Sequence, residues 1–366
     1  MQDRPRNKFS KRAARRWCGW LAAGAIWTGG GFLAAAGAEP VAVPLAELDA
    51  RFCPVDLPVC MEYDVGYRFL NIELRRIGKI VVTTTIGTWR HRSKGVEVPA
   101  LFLDVRADSP DSGKKGRRSR VSLHDRMVAV LTVPDLEALL FANYADEYLH
   151  PLIGRARENL SSALYSTESG RLEYEGRDLK SGVLSTNLAH PEELLELSRK
   201  IRPVMDFLIR QCAPEALDAP AAAGPADPDR IVVNIDGQVV ALRLVTRRER
   251  SPAALGRRKF DALHVSTATE RGSKVKPRNF HAWCLPFETL AEKQGDSALL
   301  AAARAAPVRS VVPLVLNYEL GLGNVRATMT AIHLGGTGGT NAVSRPPECP
   351  AATDAKTNDE CGQSAP

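Results

Sequence analysis

The side chains able to do chemistry in this 366-residue chain are scattered along it. Seven histidines (His91, His124, His150, His190, His264, His281 and His333) include no two at the spacing that sets metal ligands on one element. His124–Asp125 and Asp146–Glu147 are the acid/base clusters, and a solvated turn and a helix end account for them equally well. A hydrolase acting on a cell-wall or polysaccharide substrate would need carboxylates such as Asp104, Asp125 or Glu147 to converge roughly 5–10 Å apart in a groove. The chain has no Gly-x-Ser-x-Gly elbow, no His-Glu-x-x-His and no phosphate-cradling Gly-x-x-x-x-Gly-Lys, so it offers no cofactor or metal signature. The run Leu334 to Thr340 is glycine-rich, but no helix follows to present its N-terminus to a phosphate, and it reads as a linker.

Cysteines carry a second signal. Of the seven cysteines, Cys18 lies in the first 38 residues, and Cys53, Cys60, Cys212, Cys284, Cys349 and Cys361 form an even set with no Cys-x-x-Cys among them. In an oxidising compartment they permit three disulfides. Local pairing suggests Cys53–Cys60 and Cys349–Cys361, leaving Cys212 for Cys284; scattered free or structural thiols are the alternative. Aromatic residues give the third signal. Tyr63, Tyr67 and Phe69, with Trp89, Trp283 and Phe280, could line a cavity for an amphiphile between sheets or inside a barrel, although the same residues would build any β core.

The compartment is read from the first 38 residues. Seven Lys/Arg and one acid precede Trp17, an uncharged stretch follows to Phe32, and Ala36-Gly37-Ala38 closes the segment. A basic start, an apolar middle and a small-residue end make residues 1–38 an export signal, with cleavage expected after Ala38. Arg15-Arg16 admits a twin-arginine variant, and the 22 uncharged residues from 17 to 38 admit an uncleaved inner-membrane anchor. This segment contributes +6 of the formal +7; the remaining 42 basic and 41 acidic residues leave +1. A body so near neutrality is not a nucleic-acid binder.

The elements that must position these side chains are mainly strands. Tyr63, Val65, Tyr67 and Phe69 alternate with polar residues, Ile80 to Ile86 is β-branched, and Leu101, Leu103 and Val105 repeat the period of two. Val121 to Val133 and Arg171 to Gly176 add further strands around a basic loop, 108–120, read as a solvated hairpin. Helices are expected at Pro134–Tyr144 and at His190–Ile201, where Pro203 should kink or end the second. The Ala/Pro-rich stretch 213–228 is a linker between β-rich halves at 39–212 and 229–334, and 335–366 reads as a disordered tail. In the second half, Asp236-Gly237 marks a two-residue hairpin turn and Asp296-Ser297 caps a helix at Ala298–Ala306.

The order of these segments carries a resemblance. A strand leading into Ile77-Gly78-Lys79, the Asp236-Gly237 hairpin, the Trp283 strand and the terminal Val311-Val312-Pro313 … Gly323-Asn324-Val325 stretch together resemble the DUF3108 family of exported bacterial proteins, over roughly residues 60–333. The basic loop, the Ala/Pro linker and the Cys-bearing tail depart from that pattern. The family has no established activity. The resemblance implies a mainly β envelope protein, built as a curved antiparallel sheet or barrel-like fold in two halves with a few helices, and it transfers no functional residue. The expectation is a non-enzymatic protein that binds a lipid, another amphiphile or an envelope partner.

Overall fold

Met61, Tyr63 and Val65 are buried while the residues between them are less so, and this period of two runs through most of the chain. In the computed structural model it produces a single antiparallel sheet that curves without closing. The structure describes residues 45–335 apart from 70–71, 93–94, 110–120, 150–156, 180, 186–194, 196–198, 214–228, 236–237, 270–278 and 321–322. The expected signal segment, basic loop, linker and tail thus lie wholly or largely outside the described residues.

The chain opens with α1 (Leu45–Arg51) and β1 (Phe52–Pro54), followed by β2 (Val59–Phe69), β3 (Ile72–Arg90), β4 (Glu97–Asp108) and β5 (Val121–Thr132). The run continues as β6 (Ala138–Leu149), β7 (Arg157–Ser166), β8 (Glu173–Asp178) and β9 (Leu184–Ser185). After α2 (Ile201–Cys212) come β10 (Arg230–Ile235), β11 (Gln238–Arg250), β12 (Asp261–Thr269) and β13 (Phe280–Pro286). Last are α3 (Phe287–Gln294), α4 (Ser297–Ala305), β14 (Val311–Leu320) and β15 (Gly323–Leu334).

The fifteen strands are ordered β10-β11-β12-β13-β14-β15-β2-β3-β4-β5-β6-β7-β8-β9, with β1 on β3. The two expected halves therefore share one sheet, stitched where β15 pairs with β2 (Thr328 opposite Asp64, Val325 opposite Tyr67). Ile235 and Gln238 face each other in the β10–β11 ladder; Asp236 and Gly237, expected to turn between them, lie outside the described residues. Asp296 caps α4 by accepting from the Ala298 and Leu299 amides, both at 3.0 Å.

The helix expected at Pro134–Tyr144 is absent. Pro134 and Leu136 form the β5–β6 turn, and the following residues are β6. Both faces of β6 are buried: Phe141 joins the interior core, while Leu140 and Ala142 join a smaller core on the convex face. Burial on both faces removes the alternation that marks a strand. The helix expected at 190–201 falls mostly outside the described residues. Pro203 does not end α2; it stands in the first turn, where no amide donor is needed.

The convex core is roofed by α1 and β1. Leu48 and Trp89 are fully buried there, and Phe52 stacks on Phe102 with ring centroids 4.6 Å apart. A Cβ on Gly87 would collide with the Cys53 carbonyl and the Phe52 ring, so only glycine lets β1 lie this close to β3. Two ion pairs pin α1: Arg126 joins Asp49 to Asp104, and Arg51 joins Glu168.

Candidate ligand cavity

The concave face of the sheet encloses a cavity of about 990 Å³, at the upper end of the range for ligand sites. Both halves contribute to its walls: Met61, Tyr63 and Leu103 from one, Val265, Phe280 and Ala282 from the other. Its polar groups are few and mostly engaged. The Tyr63 hydroxyl donates to the Pro313 carbonyl at 2.9 Å. That carbonyl is available because β14 bulges against β13 where Cys284 faces Pro313, a site suited to a residue with no amide hydrogen. Burial, with a smaller contribution from Cys284, holds the Tyr63 phenol far above its ordinary range, so it remains a neutral donor. Asp56 is the one charged residue of the lining among the described residues, and it is exposed on the rim. It is flanked by Val55 and Leu57, which are 64% and 38% exposed.

Helix α2 forms part of the cavity wall. Ile201, Val204, Met205 and Leu208 face the cavity at i, i+3, i+4 and i+7. The helix is about 18 Å long at ~1.5 Å per residue, and each end is fastened to a different part of the sheet. At its start, Arg202 donates to the Pro134 carbonyl at 2.7 Å and to Asp135 at 3.3 Å, both in the β5–β6 turn. At its end, Arg248 of β11 donates to the carbonyls of Gln211, Cys212 and Ala213, satisfying acceptors that a helix terminus leaves open. Counting along an antiparallel order, β5 and β11 run the same way, so both anchors lie at one end of the sheet. Thus α2 is a bar laid across that end. The sequence expectation of a helix kinked or ended at Pro203 misses this stripe, which runs on through Leu208.

Several residues expected in the lining lie elsewhere. Trp89 is on the convex face, where its indole donates to Glu168 at 2.8 Å and the Arg51 guanidinium sits 4.3 Å above the ring. Trp283 is also convex, because it alternates with the inward Ala282 and Cys284. It donates to Glu249 at 2.7 Å and stacks on His264 at 4.6 Å. Tyr67, four residues beyond Tyr63, packs against the interior core away from the cavity. Phe69 ends β2 opposite Ile72, and its side chain lies outside the described residues.

Of the candidate carboxylates, the two whose side chains are described do not converge. Asp104 is convex and paired with Arg126 at 3.0 Å, whereas Asp125 faces inward level with Ala107 and accepts the Asp146 amide. The Glu147 side chain lies outside the described residues. The histidines yield one pair that spacing did not reveal. His264 and His281, on adjacent strands, approach at 3.1 Å between Nε2 and Nδ1, and Arg247 donates to His264 Nδ1 at 2.9 Å. Burial depresses His264 below its ordinary value; Glu249 opposes this, and Arg247 and His281 add to it. No group of three metal-ligating side chains occurs among the described residues.

The cysteine pairing needs correction. Cys60, Cys212 and Cys284 carry free thiols. Cys53 faces Thr88 and Cys60 faces Thr83 along the same edge of β3, which separates them by about 17 Å at ~3.4 Å per residue. That is far beyond disulfide reach. Cys349 and Cys361 lie outside the described residues.

No protein-family model matches this chain, and no curated protein matches it. Among solved structures, it is similar to a β-barrel-like protein of the domain of unknown function DUF1849 from Brucella abortus. That alignment has a TM-score of 0.36 and 7% identity, and covers 77% of this chain and 100% of the other. A likeness at that level carries no argument about fold or function. No helix among the described residues is long and apolar enough to cross a membrane.

Proposed function

We propose that this chain is a non-enzymatic envelope protein that holds an apolar or amphiphilic molecule in the cavity beneath α2. The observation that carries this reading is the volume and chemistry of that space. A space of about 990 Å³ is ample for a drug-sized or lipid-sized molecule, and walls with few polar groups suit hydrocarbon better than water. An amphiphile would place its tail among Tyr63, Phe280 and Leu208 and its polar end at the rim beside Asp56. A neutral or cationic headgroup suits that carboxylate better than an anionic one.

Export through residues 1–38 and the DUF3108 resemblance belong to the same proposal, which sets the binding event outside the cytoplasm. Asp104 and Asp125, on opposite faces of the sheet, cannot serve as the carboxylate pair of the alternative hydrolase reading. The test is solvent extraction of the protein purified without detergent, followed by mass spectrometry. A lipid or other amphiphile should be recovered in near-stoichiometric amount and should compete with a hydrophobic fluorescent dye. Recovery of nothing, together with no dye binding, would sink the proposal.

A further inference from the structure

We infer that the strand end bearing Val55 and Leu57 docks on a zwitterionic phospholipid bilayer, from which the cavity takes its amphiphile. This rests on the proposed reading of the cavity and adds the source of its occupant. Five of the described lining residues are exposed: Val55, Asp56, Leu57, Ala305 and Pro307. They belong to two segments, one leading into β2 and the other into β14. Those strands flank β15, whose last residue, Leu334, also lines the cavity. The five residues therefore rim one mouth, and four of them are apolar.

The backbone holds this rim outward. The Val55 and Asp56 amides both donate to the Ile86 carbonyl, at 2.9 and 3.3 Å, and the Pro58 carbonyl accepts from the Gly335 amide at 2.8 Å. Val96, half exposed in the β3–β4 turn, adds an apolar side chain at the same end of the sheet, where β3 finishes and β2 begins. Six large hydrophobic side chains are exposed among the described residues, and these three share one end. Leu179 and Val183 lie at the opposite end, and Val245 is in mid-β11.

A protein partner fits this surface less well. A stable interface needs about 800 Å² per side, more than a few separated side chains supply. A bilayer needs only apolar groups that reach below its headgroups, each contributing by the area it removes from water. The charges suit a zwitterionic leaflet. Asp56 stands between Val55 and Leu57, and Arg92 and Arg309 are exposed at the same end. A carboxylate and two guanidiniums match the ammonium and phosphate of such headgroups, whereas anionic lipid would meet Asp56 at the point of insertion. With the rim seated, the mouth opens on hydrocarbon, and a tail enters the cavity without crossing water.

The test is hydroxyl-radical footprinting of the full chain, purified without detergent, with and without vesicles of phosphatidylcholine and phosphatidylethanolamine. Vesicles should lower the labelling of Val55, Leu57 and Val96 at least several-fold and leave Leu179 and Val183 as they were. Vesicles of phosphatidylglycerol should protect the three less. Val96 does not line the cavity, and Val96→Asp should raise the lipid concentration that half-protects Val55 and Leu57 about tenfold. Unchanged labelling at Val55 and Leu57 would overturn the inference and leave the rim to a protein partner, even if residues 1–38 carried the chain to the vesicles. Equal protection of Leu179 and Val183, or stronger protection by phosphatidylglycerol, would overturn it too. Dye uptake in lipid-free buffer reports on the cavity separately. Dye binding without protection of the rim defeats this inference alone, whereas no dye binding defeats the reading on which it rests.

Discussion

Ala282→Phe tests the cavity directly, because its effect on stability changes sign with the picture of the interior. Ala282 lies in mid-β13 level with Val265 on β12 and Leu316 on β14; it is 4% exposed and lines the cavity. Phenylalanine adds a ring at that point. If the volume is real and the occupant has been stripped, the ring folds into open space. It should then stabilise by about 1–2 kcal/mol, below the ~1.5–3 kcal/mol of full burial because the cavity is only partly filled. If the interior were close-packed, the same substitution would cost about 1–3 kcal/mol through displaced neighbours. The two pictures differ by about 3 kcal/mol, or about 6–12 °C in Tm at ~2–4 °C per kcal/mol. Urea and thermal unfolding of extracted wild type and variant give the stability, and dye titration gives the affinity. The variant should be the more stable protein and the poorer binder. A variant destabilised by more than 1 kcal/mol, or one that bound the dye as wild type does, would refute the reasoning.

Three further perturbations have defined outcomes. Gly87→Val should destabilise by about 2–4 kcal/mol, measured by urea unfolding, and should open residues 52–58 to protease, because its side chain would displace β1 from β3. His264, depressed in the folded protein, binds its proton more readily when unfolded, so its contribution to stability is present above pH ~6.5 and is lost as pH falls below that value. His264→Gln should flatten the stability–pH curve between pH 7 and 5, where one such group contributes at most about 1.4 kcal/mol per pH unit. Burial pushes the Glu168 carboxyl up, but hydrogen bonds from Arg51, Trp89 and the Arg92 amide outweigh it, and the net shift is downward. Its stabilisation is therefore present above pH ~4.5 and lost as pH falls through the lowered value. Glu168→Gln should remove that acid-side loss and raise Trp89 fluorescence mobility without altering dye affinity.

Local chemistry made much of the sheet legible. The alternation of Met61, Tyr63 and Val65, the β10–β11 pairing that closes at Ile235 and Gln238, and the Asp296 cap each depend on a few neighbouring residues, and each is present in the fold. Properties set by distant partners were not legible. Trp89 and Trp283 were read as lining because they are aromatic, yet the face a strand residue occupies depends on register, and one step separates Trp283 from Ala282. Leu139, Leu140 and Phe141 gave no strand period because α1, some ninety residues earlier, covers the far side of β6. The α2 stripe starts beside Pro203, a residue that breaks helices in their interior but is well tolerated in a first turn. The His264–His281 contact has no signature in spacing, since a 17-residue separation is bridged only by the β12–β13 ladder.

The pairing of β15 with β2 has a consequence for how the chain is made. Wherever the chain emerges N-terminus first, β2 through β9 appear before β15, and the free edge of β2 finds its partner only after some 250 further residues have followed. Until then, Tyr63 and Val65 sit beside an unpaired row of amides and carbonyls, the kind of edge that recruits foreign strands. Closing this seam is the most non-local step in the molecule and sets a slow, late event in folding. The first half therefore has a period of vulnerability whose length is set by how long the second half takes to reach it.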